Sequence, residues 1–414
     1  MGGYVARVGK SAGLLDRLRA TCFLFRAHGE SAAVLVLEVL GISAPWASTL
    51  QRVVATETGV EPSHVIVAGT HTHSGPDGLA STADTEPMPD GHSEPGASIL
   101  RGVHEAVVEA ARNVQPAEVG FGEMHDGSIA KHRTMPDREV DSVLWLLRVD
   151  DRRGRLRALL GNYPCHSTVL SAENLLLSGD LLGGAAARAE TLASGKVTAC
   201  FSYGAAGDLS TRFSRRNQDP DELDRLARIL AEQTIDLARQ VTTTREPIVR
   251  AVKRTCTVPL RPTITAQDAF EERERITAQL ADASGHESAA RRRILETRLE
   301  GVREYASRLA TGAPSREQVE LEITGLRIGA GYVVAVPGEP FHQLSRSLRA
   351  TAGPGRHVAV FACANGYLGY FPDQEAVDGG WYEAQISRFD QRALEQVTQT
   401  AQGVISELKG VEDA

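Results

Sequence analysis

Val65-Ile66-Val67-Ala68-Gly69-Thr70-His71-Thr72-His73-Ser74-Gly75-Pro76 joins an apolar, β-branched run to two histidines and a Gly-Pro turn. The run reads as a buried strand bounded by turn residues. In extended backbone, side chains at i and i+2 share a face, so His71 and His73 point into one pocket at the strand's C-terminal end. Neutral imidazole is a common zinc ligand. Taken alone, a His-x-His pair is equally a hydrogen-bonded surface or core pair, so the rest of the chain has to decide its meaning.

Outward from this stretch, residues 20 to about 250 alternate strands with helices, which predicts α/β layers. Ala33 to Leu40 reads as a central strand whose single acid, Glu38, is an inward-facing anomaly, explained either by a solvated strand end or by a place in the active site. Residues 75–95 are rich in Gly, Pro, Asp, Glu and Ser and read as a surface lid or rim beside the histidines. Ile99, Leu100, Val103, Val107 and Ala110 recur at helical spacing, and Asp150-Asp151-Arg152-Arg153-Gly154 reads as a hairpin turn. The strand through Ala158-Leu159-Leu160-Gly161 delivers Asn162-Tyr163-Pro164-Cys165-His166.

Residues 266–312 differ in texture. They are crowded with Glu and Arg, with Phe270, Ile276 and Leu280, then Leu295, Leu299 and Val302, mostly three or four apart. This predicts a charged helical hairpin turned at 282–285 and inserted into the domain, offering an oligomer contact or a wall of the substrate cleft. Strands return at 319–323 and 331–336, and Leu394, Val397, Ala401, Val404, Ile405 and Leu408 form the stripe of a final amphipathic helix. The expected fold is α/β, a layered mixed-sheet core with surrounding helices, in one domain spanning 1–414.

Of 414 residues, 42% are apolar and 24% charged, with a formal net charge of −8, which argues against a nucleic-acid partner. No apolar stretch approaches the roughly 20 residues of a membrane span, and the first residues lack a secretory apolar region, so a cytoplasmic protein without stable membrane insertion is expected. Five scattered cysteines without Cys-x-x-Cys spacing predict reduced, mostly buried thiols.

Further motifs follow in order: Lys131-His132-Arg133, Pro164-Cys165-His166-Ser167-Thr168, Ser178-Gly179-Asp180, Gly207-Asp208-Leu209-Ser210, Val336-Pro337-Gly338-Glu339 and Asn365-Gly366-Tyr367-Leu368-Gly369-Tyr370. With Thr70 to Pro76 they resemble the neutral/alkaline ceramidase family, zinc-dependent amidases that cleave an N-acyl amide. The resemblance runs to about residue 390, interrupted by the charged helical segment. It implies an α/β catalytic domain with one Zn2+ held by His71, His166, Glu339 and Tyr367. It further implies that His73, Arg133, Ser210 and Tyr370 surround the scissile bond.

The chemistry of these residue types agrees with that assignment. Two imidazoles, a carboxylate and a phenolate suit zinc and leave room for water, whose pKa zinc lowers from about 15.7 to about 7. His73 can serve as general base or shuttle, Arg133 or a tyrosine hydroxyl can stabilise an oxyanion, and Ser210 is either a nucleophile or a positioning hydroxyl. Plainer readings compete. His166 can be a core histidine, Glu339 can cap a helix starting near Pro340, Asp180 can cap the small-residue helix that follows it, and Tyr370 can be a core aromatic.

Two departures from the family pattern touch the substrate pocket. Thr211 stands where the family carries proline after its Gly-Asp-x-Ser turn, and Asp77 where it carries glycine after Ser-Gly-Pro. The chain is also short for the immunoglobulin-like C-terminal domain of full-size members. These points lead to a zinc-dependent amidohydrolase acting on a small or semi-polar N-acyl compound of specialised metabolism, rather than on ceramide. Two alternatives stand beside it: acyl transfer or amide/lactam-forming cyclisation at the same zinc site, and a non-catalytic scaffold using the helical insertion as a homo-oligomer interface. A two-metal phosphoesterase lacks its carboxylate cluster and glycine-rich phosphate cradle here.

Overall fold

Three sheets, each covered by helices on one face, meet through their other faces in the computed structural model, which describes residues 1–4, 7–77, 79–80, 96–245, 248–261, 266–282, 295, 299, 302 and 317–410. In the first, Ala20–Ala27 is antiparallel to Glu30–Leu37, which pairs parallel with Val65–Gly69. The second runs Thr198–Tyr203, Leu156–Tyr163, Val143–Asp151, Ala117–His125, with its first pair parallel and the rest antiparallel. The third runs Val249–Pro259, Gln318–Ile328, Gly331–Ala335, His357–Phe361, and its last pair is parallel. The hairpin predicted at 150–154 joins Val143–Asp151 to Leu156–Tyr163.

Strand periodicity divides each sheet between two cores. Ala32, Val34 and Val36 enter the central core with Trp145, Leu147 and Leu160 of the second sheet and Val333, Ala335 and Phe361 of the third. Their neighbours Ala33, Leu35 and Leu37 pack outward on Ala44–Thr58 and Gly96–Arg112. A strand buried on both faces needs no polar alternation, which explains the continuous apolar runs of the sequence. Helices Asp180–Leu192 and Pro220–Gln240 cover the second sheet, and Gln343–Ala352 and Ala393–Lys409 the third. The stripe predicted for the last helix is buried throughout. Gly325 permits its close approach, since a Cβ there would lie 2.2 Å from Val404 Cγ1.

In the charged insertion, Ala266–Asp282 is helical. Leu295, Leu299 and Val302 are also helical and pack against Ile276 and Leu280, as the hairpin pattern requires. The turn predicted at 282–285 lies beyond Asp282, outside the described residues, as does most of the 75–95 loop. Among the described residues no helix is long and apolar enough to cross a membrane. All five cysteines are free, four of them buried.

Glu38 faces inward, so the solvated-end alternative fails. Strand pairing stops at Leu37, and Glu38 is buried rather than solvated. Its carboxylate accepts from Arg19 Nε and from the Arg19 backbone N–H, each at 3.1 Å. Burial pushes this carboxyl up to about 7, against the opposing pull of Arg19. The folded chain therefore retains this proton over a pH range in which the unfolded chain has released it. The contribution of Glu38 to stability is greatest below about pH 4.5 and declines as pH rises to about 7. Thermal unfolding between pH 4.5 and 7 should show a flatter Tm profile for Glu38→Gln than for the wild type.

Candidate metal centre

Each sheet supplies one parallel pair, and the segments leaving the C-terminal ends of these strands converge. That is where open α/β sheets place their ligand sites. Val65–Gly69 leads to His71 and His73, Leu156–Tyr163 to His166, and Thr198–Tyr203 to the Asp208–Ser210 turn. Gly331–Ala335 leads to Glu339, and His357–Phe361 to Tyr367 and Tyr370. Bonds between sheets fix the convergence. Asn365 N–H donates to Val67 O and its Oδ1 accepts from Val67 N–H, both at 2.8 Å, and Ala362 N–H donates to Tyr203 O at 2.9 Å. His71, Cys363 and Asn365 take left-handed backbone (φ 59°, 50° and 57°), a strain of order 1–3 kcal/mol each that surrounding packing must hold.

The donor atoms meet in a buried cluster. Glu339 Oε2 lies 3.2 Å from His71 Nε2 and 3.1 Å from His166 Nε2. His73 Nε2 is 3.4 Å from His71 Nε2, and Tyr370 OH is 3.3 Å from His166 Nε2. His71 Nδ1–H donates to Leu40 O at 2.8 Å, and His166 Nδ1 is surrounded by Ala206 O (2.9 Å), Leu209 O (3.0 Å) and Tyr203 OH (3.0 Å). With the proton held on Nδ1 in both rings, both Nε2 lone pairs face one carboxylate oxygen. Close as they are, these atoms form no proper hydrogen bond, and Glu339 Oε2 is a buried acceptor without a partner. Acceptors facing one another in a buried site call for a cation between them, and backbone acceptors on Nδ1 are the usual support of metal-bound histidine. Donors bonded at about 2.0–2.1 Å in a tetrahedron stand about 3.3 Å apart, so the 3.1–3.3 Å separations of Glu339 from the two imidazoles and of Tyr370 from His166 leave room for a small divalent cation.

Arg133 edges the cluster. Its Nη1 donates to Tyr370 OH (3.1 Å) and Gly207 O (3.2 Å) and lies 3.3 Å from His166 Nε2, while Nε pairs with Glu383 at 3.2 Å. Burial pushes His166 down to about 4, aided by the Arg133 charge, and lowers His73 strongly, so both rings are neutral near pH 7.

The sequence-predicted residues thus come together, with differences in detail. Glu339 belongs to a short strand paired with Tyr370, and the next helix begins only at Gln343, so Glu339 caps nothing. Tyr367 OH donates to Glu339 Oε1 at 2.8 Å, on the side away from the nitrogens, whereas Tyr370 OH faces them. Ser210 bridges His166 through the backbone, and its hydroxyl accepts from Arg212 N–H at 3.3 Å. Asp180 lies apart, its carboxylate accepting from Val169, Leu170 and Leu181 N–H.

Several neighbours escaped the sequence reading. Tyr203 stacks on His71 (centroids 4.4 Å, 17°), and Glu383 holds Arg133. Tyr4 stands edge-on to His73 at 5.0 Å. Tyr203 was hidden in an apolar strand. The adjacent Tyr382-Glu383 pair, an acid beside an aromatic, was the one available signal in its segment. Gly3 packs against the base of the His73 side chain at φ +101°, and a Cβ there would be 2.6 Å from His73 Cγ and 2.8 Å from its Cα. Gly3→Ala should therefore cut turnover by displacing His73 and lower Tm as well, because the clash reaches the His73 backbone, checked by kinetics beside a thermal melt.

Comparison with known proteins places this geometry. Residues 1–275 match the model of the N-terminal part of neutral/alkaline non-lysosomal ceramidases. Neutral ceramidase B of Dictyostelium discoideum is 28% identical over 234 residues, covering 50% of this chain and 32% of that protein. The neutral ceramidase of Pseudomonas aeruginosa is 28% identical over 232 residues, covering 52% and 35%. These alignments thus span about a third of each relative's length. The crystal structure of the Pseudomonas aeruginosa neutral ceramidase superposes with a TM-score of 0.72 at 22% identity, covering 99% of this chain and 72% of that one. That likeness concerns the fold.

Proposed function

The chain belongs to the neutral/alkaline non-lysosomal ceramidase family, and from that premise we propose that it is a zinc-dependent amidohydrolase cleaving an N-acyl amide. One observation carries the reading: two Nδ1-protonated histidines turn their Nε2 lone pairs on the same unpartnered oxygen of Glu339. A zinc ion held there supplies Lewis acidity, polarising the amide carbonyl and acidifying water near neutral pH. His71, His166 and Glu339 hold it. Tyr370 is the favoured phenolic ligand, because its hydroxyl faces His166 Nε2 while Tyr367 orients Glu339.

The remaining roles follow from position. His73 is neutral and buried beside the ligands, so it can take a proton from the attacking group and return it to the leaving amine. Arg133, fixed by Glu383, presents a charged N–H toward the cluster and stabilises developing negative charge on the carbonyl oxygen. Ser210 lies close through its bridge to His166, and its hydroxyl positions or attacks the carbonyl. Ser210→Ala should retain zinc and lose turnover; unchanged turnover removes Ser210 from the mechanism.

Acyl transfer to an amine, or closure of a lactam, remains a second reading, favoured by the burial of His71, His166 and Glu339 at about 1% exposure. A non-catalytic scaffold would have no need of so complete a donor set. Elemental analysis with a panel of N-acyl amides, with and without chelator, tests these readings. About one zinc per chain and chelator-sensitive cleavage uphold the amidohydrolase. Zinc without hydrolysis favours acyl transfer, and a metal-free, inactive protein favours the scaffold.

A further inference from the structure

Four arginines gather around the donor cluster, and only one of them has a carboxylate partner among the described residues. Arg133 pairs with Glu383. Arg7 donates to the carbonyls of Gly2, His73, Ser171 and Asn174, and its guanidinium lies over the Tyr4 ring at 5.1 Å. Arg215 donates to Thr168 O at 2.6 Å and to Thr211 Oγ1 at 3.3 Å. Arg212 donates to Arg133 O at 3.2 Å and is otherwise exposed, with the rest of its guanidinium fork unengaged among the described residues.

These groups form one arc. Tyr4, edge-on to His73, is within Coulomb range of Asp180 as well as of Arg7, Arg133 and Arg215; Asp180 and Glu173 also act on Arg7, and Arg212 is within range of Tyr4, Glu383, Arg133 and Arg215. Arg212 also follows Ser210 by two residues, with its backbone N–H on the Ser210 hydroxyl. Burial lowers the pKa of Arg212, with smaller contributions from Arg133 and Arg215 that Glu383 opposes. The Thr211 hydroxyl, next to Ser210 and Arg212 in the chain, accepts from Arg215 and steadies it. A guanidinium fork matches a carboxylate in shape and charge, and Arg212 presents one that has no carboxylate partner within ion-pair distance among the described residues.

We propose that this arc is a carboxylate subsite, and that the substrate is an N-acyl compound bearing a free carboxylate, of the N-acyl amino acid class, rather than a neutral lipid amide. The inference rests on the amidohydrolase reading. An N-acylglycine and the N-acylglycinamide of the same acyl chain differ only in that charge, so the pair isolates it.

On the zinc-loaded full chain, kcat/KM should favour the N-acylglycine about tenfold or more at low ionic strength, with the preference shrinking as salt rises. Arg212→Gln should cut that ratio about tenfold, and Arg212→Glu should reverse it. Arg239→Gln, on an exposed pair with Asp236 elsewhere, should not change it. Equal kcat/KM for the two substrates, or a ratio insensitive to Arg212, overturns the subsite. If neither amide is cleaved while zinc is bound, hydrolysis itself is refuted, and calorimetric titration of the N-acylglycine then decides the subsite separately. Binding weakened by Arg212→Gln upholds it, and absence of binding overturns it.

Discussion

His166→Ala and His71→Asn proteins are expected to purify without zinc and to lose amide cleavage by about a thousandfold or more, since metal-activated attack on a carbonyl supplies several kcal/mol of the rate. Each variant removes one of the two nitrogens facing Glu339 Oε2. Asparagine is the better replacement at position 71, because it tolerates the left-handed backbone there while lacking an imidazole. Elemental analysis beside initial rates checks the result. Circular dichroism separates loss of metal from loss of fold. Full activity in either variant would remove the proposed centre.

Arg133→Gln should keep zinc and lower kcat by about 10²–10³, the usual effect of deleting one charged donor at a developing oxyanion. Glu383→Gln tests the support behind that donor. Glu383 does not border the nitrogen donors, but its carboxylate fixes Arg133 Nε at 3.2 Å and both groups are largely buried. Its loss should lower kcat about tenfold with KM nearly unchanged, and Glu383→Asp should recover part of the rate, as expected of a residue that acts through another. A change confined to Tm would mark Glu383 as purely structural.

Much of this was legible in the chain because the relevant signals are local. The run Val65 to Ala68 is buried on both sides and so is uninterrupted in the sequence, and the last helix shows its stripe because one face alone is covered. The ligand candidates were legible for the same reason, each lying in a short turn just beyond a strand. What escaped depends on distant pairing. Nothing near Glu38 announces Arg19, and nothing near Tyr4 announces His73. Tyr367 and Tyr370 carry the same phenol three residues apart. Only the alignment of their short segment beside Glu339 separates the one that orients the carboxylate from the one that faces the imidazoles.

The placement of one parallel pair in each of the three sheets also bears on biosynthesis. His71, His166 and Glu339 follow strands of three different sheets, with Tyr370 beyond them. A nascent chain that has left the ribosome through its first two sheets carries the histidines but no carboxylate to oppose them. Under this reading the donor set is complete only late, after the third sheet has docked. Metal content in a preparation then reports how many molecules completed that docking, and a shortfall of zinc points first to misassembly rather than to weak affinity.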